Sequence, residues 1–188
     1  MKQAQTLSQA DIKRVLAYCA TRRHTLRDRT IIQFSILAGL RAKELAALCV
    51  SDVYDDNGSV RDQFTLRSTQ TKGKHARTVY ISAKLNRVLA QYHVQIKLRP
   101  RSDPLFRTQQ LSAFSANTMC QLFLDIYKQC GLVNASSHSG RRTFITRLAE
   151  QGVNVRLLAE LAGHSCISVT QRYIDASPAQ LARAVELV

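Results

Sequence analysis

The stretch LRDRTIIQFSILAGLRAKELAAL, residues 26–48, predicts two successive helices with a sharp stop between them. The first helix is apolar over most of its last turns and ends at Gly39, a residue that readily adopts the left-handed backbone of a helix C-cap. A shorter helix is predicted to open at Arg41, with Leu45 facing inward. Arg41 and Glu44 are three residues apart, so they share another face of that helix. The pattern indicates a buried helix followed by a turn that presents an arginine.

Helical spacing of apolar residues extends over most of the remaining chain. Ser8 is predicted to cap a first helix, and Ser82 a later one. Further helices are predicted over residues 119–130, 138–151, 155–162 and 168–173. Two short, partly alternating segments, residues 64–66 and 77–81, are predicted strands. We therefore expect a mainly α-helical single domain over residues 1–188 with a small antiparallel β-sheet, because no linker marks a second domain.

The charge of the chain favours a polyanionic partner. It contains 27 Lys and Arg against 13 Asp and Glu, a formal charge of +14. Nucleic acid is the leading candidate, and the low aromatic content of 6% favours duplex over single-stranded DNA. The apolar runs are far shorter than the ~20 residues that cross a bilayer, so we expect no membrane partner. No leader-like segment opens the sequence, and a cytoplasmic protein is expected.

The cysteines do not predict a metal or redox site. They are odd in number and lack the close pairing of zinc sites or disulfide frameworks: Cys19, Cys49, Cys120, Cys130 and Cys166. We interpret them as small apolar side chains of the core. No G-x-x-x-x-G-K-[ST] phosphate-binding segment is present in the sequence. We therefore expect neither a metal ion nor a nucleotide cofactor.

Five short segments contain the residues of chemical interest. In chain order they are GLRAKEL (39–45), TKG (71–73), HSGR (138–141), AGHS (162–165) and Tyr173. Considered singly, each residue has an ordinary explanation, such as a surface cation or a core aromatic. Together they resemble the tyrosine recombinases of the phage integrase family. That signature is an Arg in G-L-R-x-x-E-L, a Lys in a β-hairpin turn, H-x-x-R, G-H, and a Tyr nine residues after the second His; all six positions are occupied here.

The resemblance implies a DNA breaking-rejoining catalytic-domain fold with six catalytic residues, Arg41, Lys72, His138, Arg141, His164 and Tyr173. Chemistry agrees with this assignment, because two guanidiniums can each donate paired hydrogen bonds to the charged oxygens of a phosphodiester. His164 adds a further donor. Tyr173 would attack the phosphate and His138 would accept its proton. Lys72 resembles the family's general acid, which protonates the departing 5′ oxygen.

Further polar residues are expected to support the site. Glu44 would orient the guanidinium of Arg41 or a neighbouring group, although an ordinary surface carboxylate remains an alternative. Arg142 stands where many relatives have His, and we expect it to add a phosphate contact. DNA contacts are accordingly predicted for Lys43, Lys74, Arg77 and Arg142.

The resemblance also implies a reaction and an assembly. The reaction is site-specific recombination of duplex DNA, without metal or ATP, through a 3′-phosphotyrosyl intermediate and a Holliday junction. The expected assembly is a homodimer on each inverted-repeat site and a homotetramer in the synapse, with accessory DNA-bending proteins as further partners, near the bacterial nucleoid. Relaxation of DNA in the manner of a type IB topoisomerase and a catalytically inactive DNA-binding regulator remain alternatives.

Two features concern the ends of the chain. Typical family members carry an N-terminal helical domain, whereas the first helix here begins by Ser8, so we expect a naturally short recombinase or a trimmed or degenerate catalytic domain.

After the tyrosine, Ser177 and Pro178 predict the start of a last helix, over residues 177–188, with an apolar stripe. In similar recombinases this helix packs into a neighbouring protomer; packing onto its own domain is the alternative.

Overall fold

The computed structural model describes residues 4–71, 75–173, 181–182 and 185–186. In this part of the chain the elements are α1 (Gln9–Thr21), α2 (Thr25–Ala38), α3 (Ala42–Ala46), α4 (Val50–Val53), β1 (Gln63–Leu66), β2 (Arg77–Tyr80), α5 (Ala83–Ile96), α6 (Ala116–Gln129), α7 (Ser139–Glu150), α8 (Val155–Ala162) and α9 (Ile167–Gln171). The prediction of a mainly helical fold with a small antiparallel sheet is confirmed. Most of the predicted helix over residues 177–188 lies outside the described residues.

The helix starts follow from side-chain caps that the sequence predicts. The Ser8 hydroxyl accepts a hydrogen bond from the Asp11 backbone N–H at 3.1 Å, and the Ser82 hydroxyl accepts one from the Leu85 N–H at 3.3 Å. Such caps satisfy N–H groups that have no partner within the helix. Leu7, just before the first cap, is buried in the core.

The sheet pairs β1 with β2 in antiparallel register, with Phe64 opposite Val79. Both of these side chains are buried, whereas Thr65 between the buried positions of β1 is exposed. This alternation is the pattern expected when one face of a sheet covers the core and the other faces outward. The outer face of this hairpin borders the candidate site described below.

Helix α2 forms the centre of the fold and packs against α1, α5 and α7. It ends at Gly39, whose φ of 65° confirms the predicted left-handed cap. At Gly140 in α7, a Cβ atom would lie only 2.8 Å from the Cβ of Ser35 in α2. Glycine therefore permits the close approach of the two helices. This approach places Arg141 beside the carboxyl end of α2.

The cysteines occupy different environments. None of the five forms a disulfide, and Cys19 and Cys130 are buried as predicted. Cys166 is exposed, so its interpretation as a core side chain is wrong; it precedes the short helix α9, at the surface. No helix among the described residues has the length and apolar character needed to cross a membrane.

Candidate active site

Arg41 is fixed by Glu44 at the start of α3. One Glu44 carboxylate oxygen, Oε1, accepts a hydrogen bond from Arg41 Nη1 at 2.8 Å, and the other, Oε2, accepts one from the Arg41 backbone N–H at 2.8 Å. Glu44 is completely buried, so the alternative of a surface carboxylate does not hold. The guanidinium of Arg41 remains partly exposed and points from the helix start toward an open cavity. These two contacts are the ones expected of a residue that orients Arg41.

Arg77 also binds Glu44, through an ion pair of 2.8 Å between Nη2 and Oε2. Burial by itself would raise the pKa of Glu44, but the charge and hydrogen bond of Arg77, together with the Arg41 contacts, outweigh it and lower the pKa. Glu44 is therefore a carboxylate at neutral pH, shared by two guanidiniums.

The position of Arg77 differs from its predicted role as a DNA contact. Its side chain is 8% exposed, and Nη1 donates a hydrogen bond to the Leu161 carbonyl of α8 at 3.0 Å. Gly163, after α8, lies directly against it: a Cβ atom at Gly163 would overlap Arg77 Cδ and come 3.0 Å from its Nε. Arg77 therefore joins the hairpin to α3 and α8, because the buried Glu44 attracts its guanidinium inward.

Arg141 is the most deeply buried of the five predicted catalytic residues that the structure describes, with 3% of its surface exposed. Its Nη1 donates to the Gly39 carbonyl at 2.7 Å, and its Nη2 donates to the Ala162 carbonyl. These carbonyls belong to the ends of α2 and α8, where negative partial charge accumulates. Burial, followed by the nearby charge of Arg41, lowers the pKa of Arg141 to about 9, so it remains a cation at neutral pH.

His164 follows the same end of α8 and is held by Thr170. The distance between His164 Nδ1 and the Thr170 hydroxyl is 2.8 Å, and Thr170 is completely buried. Burial, together with the charges of Arg141, Arg41 and Arg77, lowers the pKa of His164 to about 4, so the imidazole is neutral at pH 7. A neutral ring that accepts the hydroxyl proton at Nδ1 carries its own proton at Nε2. In this tautomer the Nε2 proton is available for an anionic oxygen.

Tyr173 lies beside His164 and Arg142. Its ring is stacked on the His164 imidazole, with centroids 5.9 Å apart and planes at 21°. The Arg142 guanidinium carbon lies 5.4 Å from the centre of the same ring. Two of the predicted catalytic residues, nine positions apart, are therefore in direct contact, and Arg142 contacts the tyrosine as well.

An open cavity of about 1280 Å³ lies between the hairpin and α8. Its lining includes Arg41, Thr71, His75, Arg77, Tyr80 and His164.

Two of the predicted lysines lie outside the described residues: Lys72, the predicted general acid, and Lys74, a predicted DNA contact. The residues that flank them line this cavity, and the Thr71 hydroxyl donates to the His75 carbonyl at 2.9 Å. Lys43, another predicted DNA contact, is exposed and its Nζ donates to the Thr71 carbonyl at 3.3 Å.

His138, the predicted base, is exposed at the N-cap position of α7, three residues before Arg141.

Two residues that contact the site were not predicted from the sequence. Thr170 orients His164, and Thr6 contacts Arg142; neither falls in a recognisable motif. Within the described ranges, no group of three or more His, Cys, Asp or Glu side chains is placed to hold a metal ion.

This arrangement is suited to binding an anion that gains charge during a reaction. Arg41 and Arg141 are cations held by the protein before any ligand arrives, and the neutral imidazole of His164 adds a donor beside them in the tautomer that carries its proton on Nε2. Donors that are already oriented lose little in reorganisation when charge develops, so they stabilise a transition state more strongly than they stabilise a ground state. The adjacent Tyr173 carries a phenolic hydroxyl, a group that can act as a nucleophile when it is deprotonated.

The neutral state of His164 can be tested directly by an NMR titration of its imidazole. In the free protein we expect its pKa to be about 4, because burial and three arginines disfavour the protonated ring. Arg41→Gln removes one of these cations and should raise the pKa toward 6.5. Resonances are assigned by comparison with His164→Gln. A pKa at or above 6.5 in the unmodified protein would contradict this description of the site.

Comparison with known proteins identifies similar chains. A model described as the phage integrase family matches residues 5–180. Tyrosine recombinase XerD of Oceanobacillus iheyensis is 28% identical over 93% of this chain and 59% of its own length. Tyrosine recombinase XerA of Pyrococcus horikoshii is 30% identical over 96% of this chain and 60% of its own. The chain spans about three-fifths of the length of these relatives.

Solved structures show the same fold. A crystal structure of XerA recombinase matches 99% of this chain and 66% of that chain with a TM-score of 0.77 and 23% identity. XerH site-specific recombinase bound to palindromic difH substrate, a post-cleavage complex, matches 98% of this chain and 53% of that chain, with a TM-score of 0.73 and 21% identity. The catalytic domain of bacteriophage HP1 integrase matches 98% of this chain and 95% of that domain, with a TM-score of 0.66 and 26% identity.

Proposed function

The chain belongs to the phage integrase family, and we propose that it cleaves and rejoins duplex DNA as a site-specific recombinase, through a covalent bond between Tyr173 and a 3′ phosphate. One observation carries this proposal: the structure gathers Arg41, Arg141, His164 and Tyr173 around the carboxyl end of α8. Arg141 binds the Ala162 carbonyl two residues before His164, and His164 stacks on Tyr173. Arg41 joins the same end of the helix through Glu44 and Arg77.

The first task of this site is to hold the scissile phosphate. The guanidiniums of Arg41 and Arg141 donate to its non-bridging oxygens, and His164 donates through Nε2. Attack on the phosphorus concentrates negative charge on these oxygens, so each donor binds the transition state more tightly than the bound DNA. One such donor contributes about 10²–10³ in rate in comparable oxyanion sites.

The second task is proton transfer. Tyr173 attacks the phosphorus and loses its phenolic proton, and His138 is the proposed acceptor. The bond to the 5′ oxygen breaks, and Lys72 is the proposed donor of the proton that this oxygen takes up. The position of the cavity supports the second assignment, because Thr71 and His75, which flank residues 72–74 in the sequence, line it together with Arg41. The phosphotyrosyl ester conserves the bond energy for rejoining.

The net charge of the chain and the DNA complexes of similar proteins support duplex DNA as the substrate. The formal charge of +14 favours duplex DNA, and Lys43 and Lys74 are the proposed outer phosphate contacts, whereas Arg142 lies against the Tyr173 ring. The solved structures include XerH bound to difH substrate and the Tn1549 transposon integrase in complex with circular intermediate DNA.

By analogy, this chain would act on inverted-repeat sites as a homodimer per site and a homotetramer in the synapse, through a Holliday junction. Accessory DNA-bending proteins and a cytoplasmic, nucleoid-associated location belong to the same proposal.

The last helix is proposed to join protomers. Residues 177–188 are predicted from sequence to form a helix with an apolar stripe, and that segment is mostly outside the described residues. Exposed apolar side chains, among them Tyr80, Leu157 and Val169, line the cavity beside the site. Such a surface is suited to an apolar helix, and packing from a neighbouring protomer would couple each tyrosine to the next subunit.

The experiment that tests the function uses suicide duplexes with random sequence, nicked so that a cleaved strand is lost and rejoining fails. We expect a denaturant-resistant protein–DNA adduct linked to the 3′ phosphate, formed equally well in excess EDTA, because arginine, lysine and histidine supply the charge and proton transfers. Sequencing of the trapped DNA gives the site.

Other outcomes would reject the proposal. Cleavage that stops on chelation and returns with magnesium would indicate a nuclease. Relaxation of supercoils without recombination between two trapped sites would indicate type IB topoisomerase activity. Binding without any adduct on sequences enriched by the protein itself would indicate an inactive regulator.

A further inference from the structure

A second contact of Tyr173 has no counterpart in the six-residue signature. Arg142 follows Arg141 in α7, and its guanidinium carbon lies 5.4 Å from the centre of the Tyr173 ring. Arg142 Nε donates a hydrogen bond to the Thr6 hydroxyl at 3.1 Å. The guanidinium is therefore held from one side by the start of the chain while it contacts the tyrosine ring.

Thr6 is itself firmly placed, because residues 5–8, here termed the N-terminal strap, are bound to the region around α7. The Gln5 N–H donates to the Asn134 carbonyl at 3.2 Å, and the Leu7 N–H donates to the Thr143 hydroxyl at 2.8 Å. Leu7 is 1% exposed, so the strap is also anchored by apolar packing. An anchored hydroxyl restricts the rotamers of the long arginine side chain that it binds.

We propose that Arg142 is a positioning residue for Tyr173: its guanidinium, anchored by Thr6, fixes the direction of the tyrosine ring together with the His164 imidazole. A cation over an aromatic face is attracted by the ring's quadrupole, and arginine does so with a flat, delocalised group. The ring thus has two specific contacts, 5.9 Å from His164 and 5.4 Å from Arg142. A nucleophile that is oriented before DNA binds loses less entropy in reaching the attacking position.

This role differs measurably from a phosphate contact. A phosphate contact acts in binding: its loss weakens affinity for all sequences and reduces the slope of log K against log salt by about one. A positioning role acts after binding and lowers the first-order rate of adduct formation at saturating DNA. The cleavage part of the inference rests on the proposed function, whereas the orientation of the ring does not.

The test therefore combines two readouts on the full chain. Three variants are compared with the unmodified protein: Thr6→Val, which removes the anchor without changing charge, Arg142→Gln, and Arg142→Lys, which keeps the charge. Arg147→Gln is the matched control, because Arg147 lies on the same helix and its Nη2 donates to the Leu7 carbonyl of the strap at 3.5 Å. The control removes the same charge from the same helix and leaves in place the hydrogen bond between Arg142 and Thr6 and the strap contacts of Gln5 and the Leu7 N–H.

The first readout is the ¹⁹F resonance of 3-fluorotyrosine incorporated at position 173, recorded without DNA. We expect it to shift or broaden in Thr6→Val and both Arg142 variants and to stay unchanged in Arg147→Gln. Because it needs no activity, it separates failure of this inference from failure of the proposed function. An unchanged resonance in Thr6→Val and Arg142→Gln, or an equal change in Arg147→Gln, overturns the proposal.

The second readout is single-turnover adduct formation at saturating DNA. The rate should fall about three- to thirtyfold in Arg142→Gln, the range expected for a lost cation–ring contact, and by less in Arg142→Lys, which keeps a cation but lacks the planar guanidinium. Thr6→Val should lower the rate in the same direction with unchanged affinity and salt slope. A loss of affinity and salt slope at an unchanged rate would assign Arg142 to a phosphate instead.

Discussion

Tyr173→Phe is expected to abolish the covalent DNA adduct while DNA affinity stays within about twofold, since the cationic side chains proposed to bind phosphate are untouched. Phenylalanine keeps the ring that stacks on His164 at 5.9 Å, so the local packing should survive. Only the attacking oxygen is removed. Adduct formation is measured on denaturing gels with suicide duplexes, and affinity by titration of labelled DNA.

Tyr80→Phe is the matched control for this prediction. Tyr80 is 59% exposed and lines the cavity beside the site, so it is an accessible phenol close to the candidate active site. Its removal should leave adduct formation at the level of the unmodified protein. An adduct that persists in Tyr173→Phe and disappears in Tyr80→Phe would reassign the nucleophile.

Glu44→Gln is expected to lower the free energy of unfolding by about 3–5 kcal/mol at pH 7, because it removes the only negative partner that the structure shows, in the described residues, for the guanidiniums of Arg41 and Arg77. The carboxylate is completely buried, so water cannot replace it without rearrangement. Denaturant unfolding of both proteins measures the difference. Equal stabilities at pH 7 would contradict the central place given to this ion-pair network.

The same network predicts how the difference depends on pH. The pKa of Glu44 is lower in the folded protein than its ordinary value of 4.5. Its stabilising contribution is therefore complete above about pH 4.5 and is lost as the pH falls through the folded pKa. The stability difference between the unmodified protein and Glu44→Gln should shrink below pH 4.5. Glu150→Gln, at an exposed carboxylate at the end of α7, should show no such difference at either pH.

Features that depend on neighbouring residues were predictable from the sequence. The caps at Ser8 and Ser82, the helix stop at Gly39 and the two strands all arise from local backbone preferences and from the spacing of apolar residues, which the sequence displays directly. The pairing of Arg41 with Glu44 belongs to the same class, because the two residues are three apart. Spacing also led to the catalytic set, through resemblance rather than through geometry.

Features that depend on distant residues were not predictable. Arg77 resembles any exposed strand cation until Glu44, 33 positions earlier, and the Leu161 carbonyl are brought against it. The contact between Thr6 and Arg142 spans 136 positions. Thr170 is only six residues from His164, but the bond between them depends on the turn after α8. In each case the role of the side chain depends on how the elements pack together, and a sequence motif does not contain that information.

The most direct test of the central claim is to identify the amino acid that carries the DNA. Adduct trapped on a suicide duplex is digested with nuclease and protease, and the modified peptide is sequenced by mass spectrometry. We predict a single phosphotyrosyl linkage at Tyr173, joined to the 3′ end of the cleaved strand. A nucleotide attached to any other residue, or cleavage that leaves no nucleotide on the protein, would contradict the account.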